Sequence, residues 1–178
     1  MAICNVNIAG LCRDCESSKG GIVEVYAFNY GEITGITETA GTINGISLAS
    51  SAKAYKYEFR KGTGSMTSTL NVDPANGVNY VSTELVLQFT KMETRKRIEM
   101  AALAVGELAF IVKDANGVYW YLGKDEAVTA TAGTGQTGTA VGDGNFYNIT
   151  FTDESHSWPM EVLPSVVEGL TILPNCNA

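Results

Sequence analysis

Four cysteines offer the first chemistry: Cys4, Cys12, Cys15 and Cys176. Thiolates bind zinc when four converge, and Cys12-Arg13-Asp14-Cys15 has the spacing of one half-site. A complete site would also need Cys4 and Cys176, so the two ends of the chain would have to meet. The same CxxC spacing serves redox enzymes, but no βαβ pattern follows it. The reading adopted is ordinary free thiols, with no cofactor. The single histidine, His156, stands in "TDESHSW" beside Ser155 and Asp153. Nucleophilic catalysis needs a base oriented by a third group, and neighbours on one short segment cannot converge as a triad does. An exposed turn is expected there, and no enzyme activity.

The remaining motifs are no stronger as sites. "GTGSMT" and "GTGQTGTAVGDG" have glycines that could cradle phosphate, but neither has the P-loop lysine or the Rossmann spacing. Asp143 and Asp153 lack the ligand spacing of a calcium loop. Arg95-Lys96-Arg97 is a short basic run, by default a solvated helix turn. It falls near the positive end of a helix dipole, a small cost that favours an acidic neighbour across an interface. Tyr119 and Tyr121 share one strand face and Trp120 the other; such aromatics more often fill a core than stack on a sugar.

The elements that would position these residues are mostly strands. The chain has 178 residues, enough for one domain with a real core, and 19 glycines with many threonines favour turns and strands. A net charge of −7 argues against gripping nucleic acid, though it suits a surface past which nucleic acid must slide. "MAICNVNIAGLCRDC" has no basic start or apolar run that would mark a targeting segment, and no stretch reaches membrane-span length.

Strands are expected at Val23–Tyr30, Ile33–Ile36, Ile43–Leu48 and within "AKAYKYEFRKG". "SMTSTLNV" and "VNYVSTELVLQF" pair across "DPANG" as a long hairpin. A helix follows at about residues 91–105. Thr90 and Glu93 fit a capping box, Glu93 and Arg97 a favourable i,i+4 pair, and Gly106 a left-handed stop. Ile98, Ala101, Ala102 and Val105 form its apolar stripe, and Met100, Leu103 and Ala104 widen it, so burial on several sides is expected. Leu108–Lys113 and Val118–Leu122 pair across a second Asn-Gly turn. Gly123–Asn145 reads as a long Gly/Thr loop, functional or ordered by a partner. "FYNITFTD" is a further strand, and the tail after it docks in extended form. The expected domain plan is an arm at 1–21, a β domain at 22–163 and a tail at 164–178. The fold class is mainly β: an antiparallel sandwich or barrel with one flanking α-helix.

The order of these parts is similar to that of small bacteriophage tail proteins, namely tail tube and tail-hub ring proteins, particularly those of crAss-like phages infecting gut Bacteroidetes. The resemblance lies in "SMTSTLNVDPANGVNYVSTELVLQF", "KMETRKRIEMAALA", "LAFIVKDANGVYWYLG" and "GTGQTGTAVGDGNFYNITFTDE", covering roughly residues 50–163. It implies a virion structural protein assembled in the host cytoplasm. Its copies, about six or twelve, would close a homo-oligomeric ring. Rings would stack with other tail or portal-proximal proteins, and DNA would pass through the bore during genome ejection without specific binding. No membrane is involved. The resemblance carries no catalytic residues. The subunit interfaces expected from the residues are Arg95, Arg97, Ile98, Met100, Leu103 and Val105 on the helix, and Thr134, Gln136 and Thr137 in the Gly/Thr tract. The alternative is a β-sandwich module binding glycan or protein through Tyr119, Tyr121 or Trp158.

Overall fold

The computed structural model describes residues 8–13 and 15–174. Cys4 and Cys176, two of the four candidate zinc ligands, lie outside the described residues. Two-residue alternation sets the first strands: β1 (Ile22–Asn29), β2 (Ile33–Thr39), β3 (Thr42–Leu48) and β4 (Ala54–Glu58). The β2–β3 turn consists of Ala40 at φ 52 and Gly41 at φ 83. Two successive left-handed residues match the strand twist, and alanine carries a steric cost there that glycine avoids.

β5 (Gly64–Asp73) and β6 (Val78–Thr90) form the long hairpin. Its turn is pinned by Asp73, whose carboxylate accepts from the Ala75 and Asn76 N–H groups and from the Asn76 side chain. β7 (Leu108–Asp114) and β8 (Tyr119–Leu122) repeat the device. There Asp114 accepts from the Asn116 and Val118 N–H groups and from the Trp120 indole. Burial pushes the Asp114 carboxyl up, but these bonds outweigh it and hold it below the usual carboxylate range.

Between β6 and β7 stands α1 (Thr94–Val105). Its start differs from the expected capping box. Glu93 is the N-cap but makes no cap bond, and Thr90 is the last residue of β6, paired with Phe146. Glu93 instead meets Lys96 at 3.2 Å and Lys91 at 3.6 Å, rather than Arg97. The Lys96 ammonium also donates to the Thr90 carbonyl at 2.6 Å, so a lysine staple replaces the hydroxyl cap. Gly106 is extended at φ −76, not left-handed. A side chain there would still crowd Leu108 at 3.1 Å.

The segment Gly123–Asn145 is not one loop. It contains β9 (Thr129–Gln136), paired along its length with β10 (Phe146–Ser155). The tail is not simply extended either. β11 (Met160–Val162) leads into a short helix, α2 (Pro164–Glu168), and then β12 (Ile172–Leu173).

The strands form two sheets, one ordered β12-β4-β1-β7-β8-β11-β3-β2 and the other β5-β6-β10-β9. With α1 at the flank, this is the expected β-sandwich. Between the sheets lies a core of Val25, Leu85, Leu87, Phe110, Leu122, Ile149 and Phe151, with Phe110 and Phe151 centroids 4.8 Å apart. The opposite face of the large sheet holds a second core: Phe28, Ile43, Ala109, Ile111 and Tyr121. Ile33, Ile36 and Ile46 of β2 and β3 pack against this second cluster, so the large sheet curls onto itself. Residues 160–173 strap the concavity. β11 joins β8 and β3, α2 buries Val166 and Val167, and β12 joins β4 at the other end of the sheet.

Replacing Ala40 with glycine relieves the left-handed strain. We expect the unfolding free energy to rise by about 0.5–1 kcal/mol in urea titration, with an unchanged m-value.

Candidate assembly surfaces

The small sheet is complete on one face only. β5 and β9 each pair with a neighbour on one side, leaving two long edges unpaired within the described residues. Backbone N–H and C=O groups along such edges are templates for another strand. β9 has only threonine, alanine, glycine and glutamine, "TATAGTGQ", so it buries little and reads as a loop in sequence. Its pairing with β10 is what makes it a strand. Thr134 lies opposite Asn148 and Gln136 opposite Phe146, with Thr137 just beyond the strand; all three are exposed.

α1 lies against β9 and β10. It turns Leu103 into the core between the sheets and packs Met100 partly against it. The apolar stripe therefore points away from the chain's own core, whereas the width of the apolar surface led to an expectation of burial on several sides. Ile98 is 58% exposed and Val105 86%, and Ala101 and Ala102 are exposed between them. Arg95 and Arg97 are exposed as well and meet no carboxylate among the described residues. Of the six helix residues expected at an interface, Leu103 is taken up by the single chain's own core. The hairpin adds apolar surface near its tip, where Leu70, Val72 and Val78 are exposed.

Charge is segregated. β5, β6, β9 and β10 contain Asp73, Glu84, Asp153 and Glu154 but no lysine, arginine or histidine. All 12 basic residues of the chain lie elsewhere. By register the outward face of this sheet carries hydroxyls, among them Ser65, Thr67, Thr69, Ser82, Thr150 and Thr152, and the carboxylates Glu84 and Glu154, beside Tyr80, Val86 and Gln88. Strand composition alone displays this segregation once the four strands are known to share a sheet.

Among the described residues the catalytic and metal candidates do not assemble. Ser155 is buried and its hydroxyl donates to Asp125 at 2.9 Å, while His156 reaches the same carboxylate only through its backbone N–H at 2.8 Å. The bonds that Asp125 accepts from His156 and Ser155 hold it below the usual carboxylate range. Asp143 accepts from the Thr139 and Ala140 N–H groups of its own loop. Cys12 and Cys15 are exposed free thiols. Among the described residues no three His, Cys, Asp or Glu side chains are grouped to hold a metal. No described helix is long and apolar enough to cross a membrane. Tyr121 is buried, Tyr119 packs against the concave core and Trp120 against the other, which leaves Trp158 as the exposed member of the aromatic set.

Comparison with protein-family models, with curated proteins and with solved structures finds no match.

Asp153 faces the core beneath β6, opposite the buried Thr83, and accepts one bond from the Gly123 N–H at 3.2 Å. Burial pushes its carboxyl up to about 6, and the neighbouring Asp125 and Glu126 charges add to this. A carboxyl raised by folding favours the protonated native state, so stability falls as pH rises from the unfolded value through about 6. Asp153→Asn keeps an acceptor for Gly123 and removes the ionisation. It should stabilise the protein at pH 7.5 by up to about 3 kcal/mol and lose that advantage near pH 4. Thermal melts across pH measure this; a gain that is the same at both pH values contradicts it.

Proposed function

We propose that this chain is a virion structural protein, a subunit that closes a ring of a phage tail, tube or hub, through which DNA leaves the capsid. The observation that carries the reading is the outward apolar stripe of α1 beside a small sheet open at both edges. A solitary chain gains nothing from exposing Ile98 and Val105 next to an unpaired strand. A neighbouring copy covers the stripe and pairs the edge at once.

The strand order is compatible with cyclic pairing. β5, β6, β10 and β9 alternate in direction, so the outer strands β5 and β9 run opposite ways. Copies related by rotation about an axis along the strands bring β9 of one beside β5 of the next, antiparallel. That contact is heterologous and closes into a ring when the rotation divides a full turn. The sheet face that then lines the bore carries hydroxyls and carboxylates without a single base, which repels phosphate rather than holding it. Alpha-helical and basic surfaces, including Arg95 and Arg97, remain on the flank for acidic neighbours. The virion is the place of action that this reading gives, after assembly in the host cytoplasm.

Ile98→Glu and Val105→Glu test the reading. Both side chains already face water in the single chain, so each substitution should change the stability of the monomer by no more than about 0.5 kcal/mol. The pair should abolish ring formation in negative-stain images and mass photometry. Wild-type protein that stays monomeric at high concentration, without rings, refutes the proposal.

A further inference from the structure

The charges of α1 oppose its own dipole. The first turn has no acid, and the basic run Arg95-Lys96-Arg97 stands at the positive end. The last turn, at the negative end, has no base. Lys96 is satisfied at home by Glu93 and the Thr90 carbonyl. Arg95 and Arg97 are exposed and meet no carboxylate among the described residues. Glu107, exposed just past the other end of the helix, meets no cation among them. A second helix laid antiparallel on the first answers both ends at once. Each basic run then lies at the other helix's C-terminus, beside its free carbonyls and its Glu107.

The exposed stripe between those ends fits the same partner. In chain order it is Ile98, Ala101, Ala102 and Val105: large, small, small, large. That order reads the same from either end, about a centre between the two alanines. At 3.6 residues per turn, Ile98 and Val105 point within roughly 20° of one direction, and the centre lies on that line. Met100 and Leu103 pack on the opposite side, in the core. An isologous contact has this symmetry, because residue i meets residue j while j meets i. About a two-fold axis at the centre, Ile98 of each copy packs beside Val105 of the other. The alanines cross on the axis, where short side chains let helices approach to about 8 Å. A parallel partner would set the two basic runs face to face.

We infer that free copies of this chain pair through α1 as an antiparallel two-fold dimer. The stripe is the one a ring neighbour covers, so dimer and ring are alternative states of one surface. An interface limited to one helix pair falls below the roughly 1,200 Å² of a standard one, so growing rings can draw copies from it. The dimer stands on the helix alone; its role as the waiting form of the subunit rests on the ring assembly proposed above.

Cysteine trapping tests it on the full-length chain with its four native cysteines changed to serine. Ala101→Cys puts a thiol beside the axis, within disulfide reach of its symmetry mate, and oxidised glutathione should link most chains there. Thr94→Cys is exposed on the same helix, but its two copies lie roughly 22 Å apart in the antiparallel pair and should not link. Arg95→Glu with Arg97→Glu should weaken the dimer about tenfold in sedimentation velocity, and adding Glu107→Arg should restore it. No linkage at position 101, or linkage at 94 as ready as at 101, overturns the inference. Mass photometry separates it from the ring reading. The linked dimer should give rings only after reduction, and rings that keep the disulfide intact overturn its role as the waiting form. Rings without linkage at 101 overturn the dimer alone; linkage with no rings after reduction overturns the ring alone.

Discussion

A strand that is apolar on both faces has to be covered twice. β7 runs Leu-Ala-Phe-Ile-Val, and those five residues are buried, alternating between the two cores. β1 beside it is the same: Val25 and Ala27 face one way, Tyr26 and Phe28 the other. Water cannot be kept from both faces of such a pair by one layer. The curled end of the large sheet and its strap cover one face. The small sheet covers the other. Everything outward on the small sheet is a by-product of that division. It is used as a lid on its inner face, and its outer face, its two edges and its flanking helix are left for other contacts.

The helix shows how the division leaves an apolar strip exposed. An apolar stripe normally marks the side that packs at home. Here Lys96, Met100 and Leu103 take the inward positions, and the lysine reaches back to hold the Thr90 carbonyl. The small side chains between Ile98 and Val105 leave a shallow outward strip that another chain can approach closely. Tyr57 joins this helix to the large sheet through Glu99 and packs edge to face on Phe89 of the small sheet, so the two sheets and α1 are tied together there. Burial raises the Tyr57 phenol far above its ordinary value, and the Glu99 charge adds to it, so the hydroxyl stays a donor across the working pH range.

Much of the fold was legible in the residues because strand signals are local. Alternation located β1, β4, β5, β6 and β10 within a residue or two, and both Asn-Gly turns formed where expected. What failed had non-local causes. β9 has no large side chain, and its state is decided by the ten-residue partner strand beside it. The capping box at Thr90 lost to pairing with Phe146, a residue far along the chain. α2 and β12 depend on a concave surface that exists only after the large sheet has curled. The site was partly legible. Type and spacing put Ile98 and Val105 at an expected interface, and the single chain leaves both exposed. Leu103 was grouped with them because periodicity cannot tell which side of a nearly all-apolar helix meets its own sheet. The separation of acids from bases became visible only when the topology brought four distant strands together.

The strap of residues 160–173 has a consequence for biosynthesis. It comes after every strand it closes over, from β1 to β8, so the concave core stays wet until the ribosome has made it. Chains interrupted earlier expose Phe28, Ile111 and Tyr121 together, a surface that chaperones and proteases recognise. Completion of the fold thus waits for the strap, and the interior is shut only once that segment has been made.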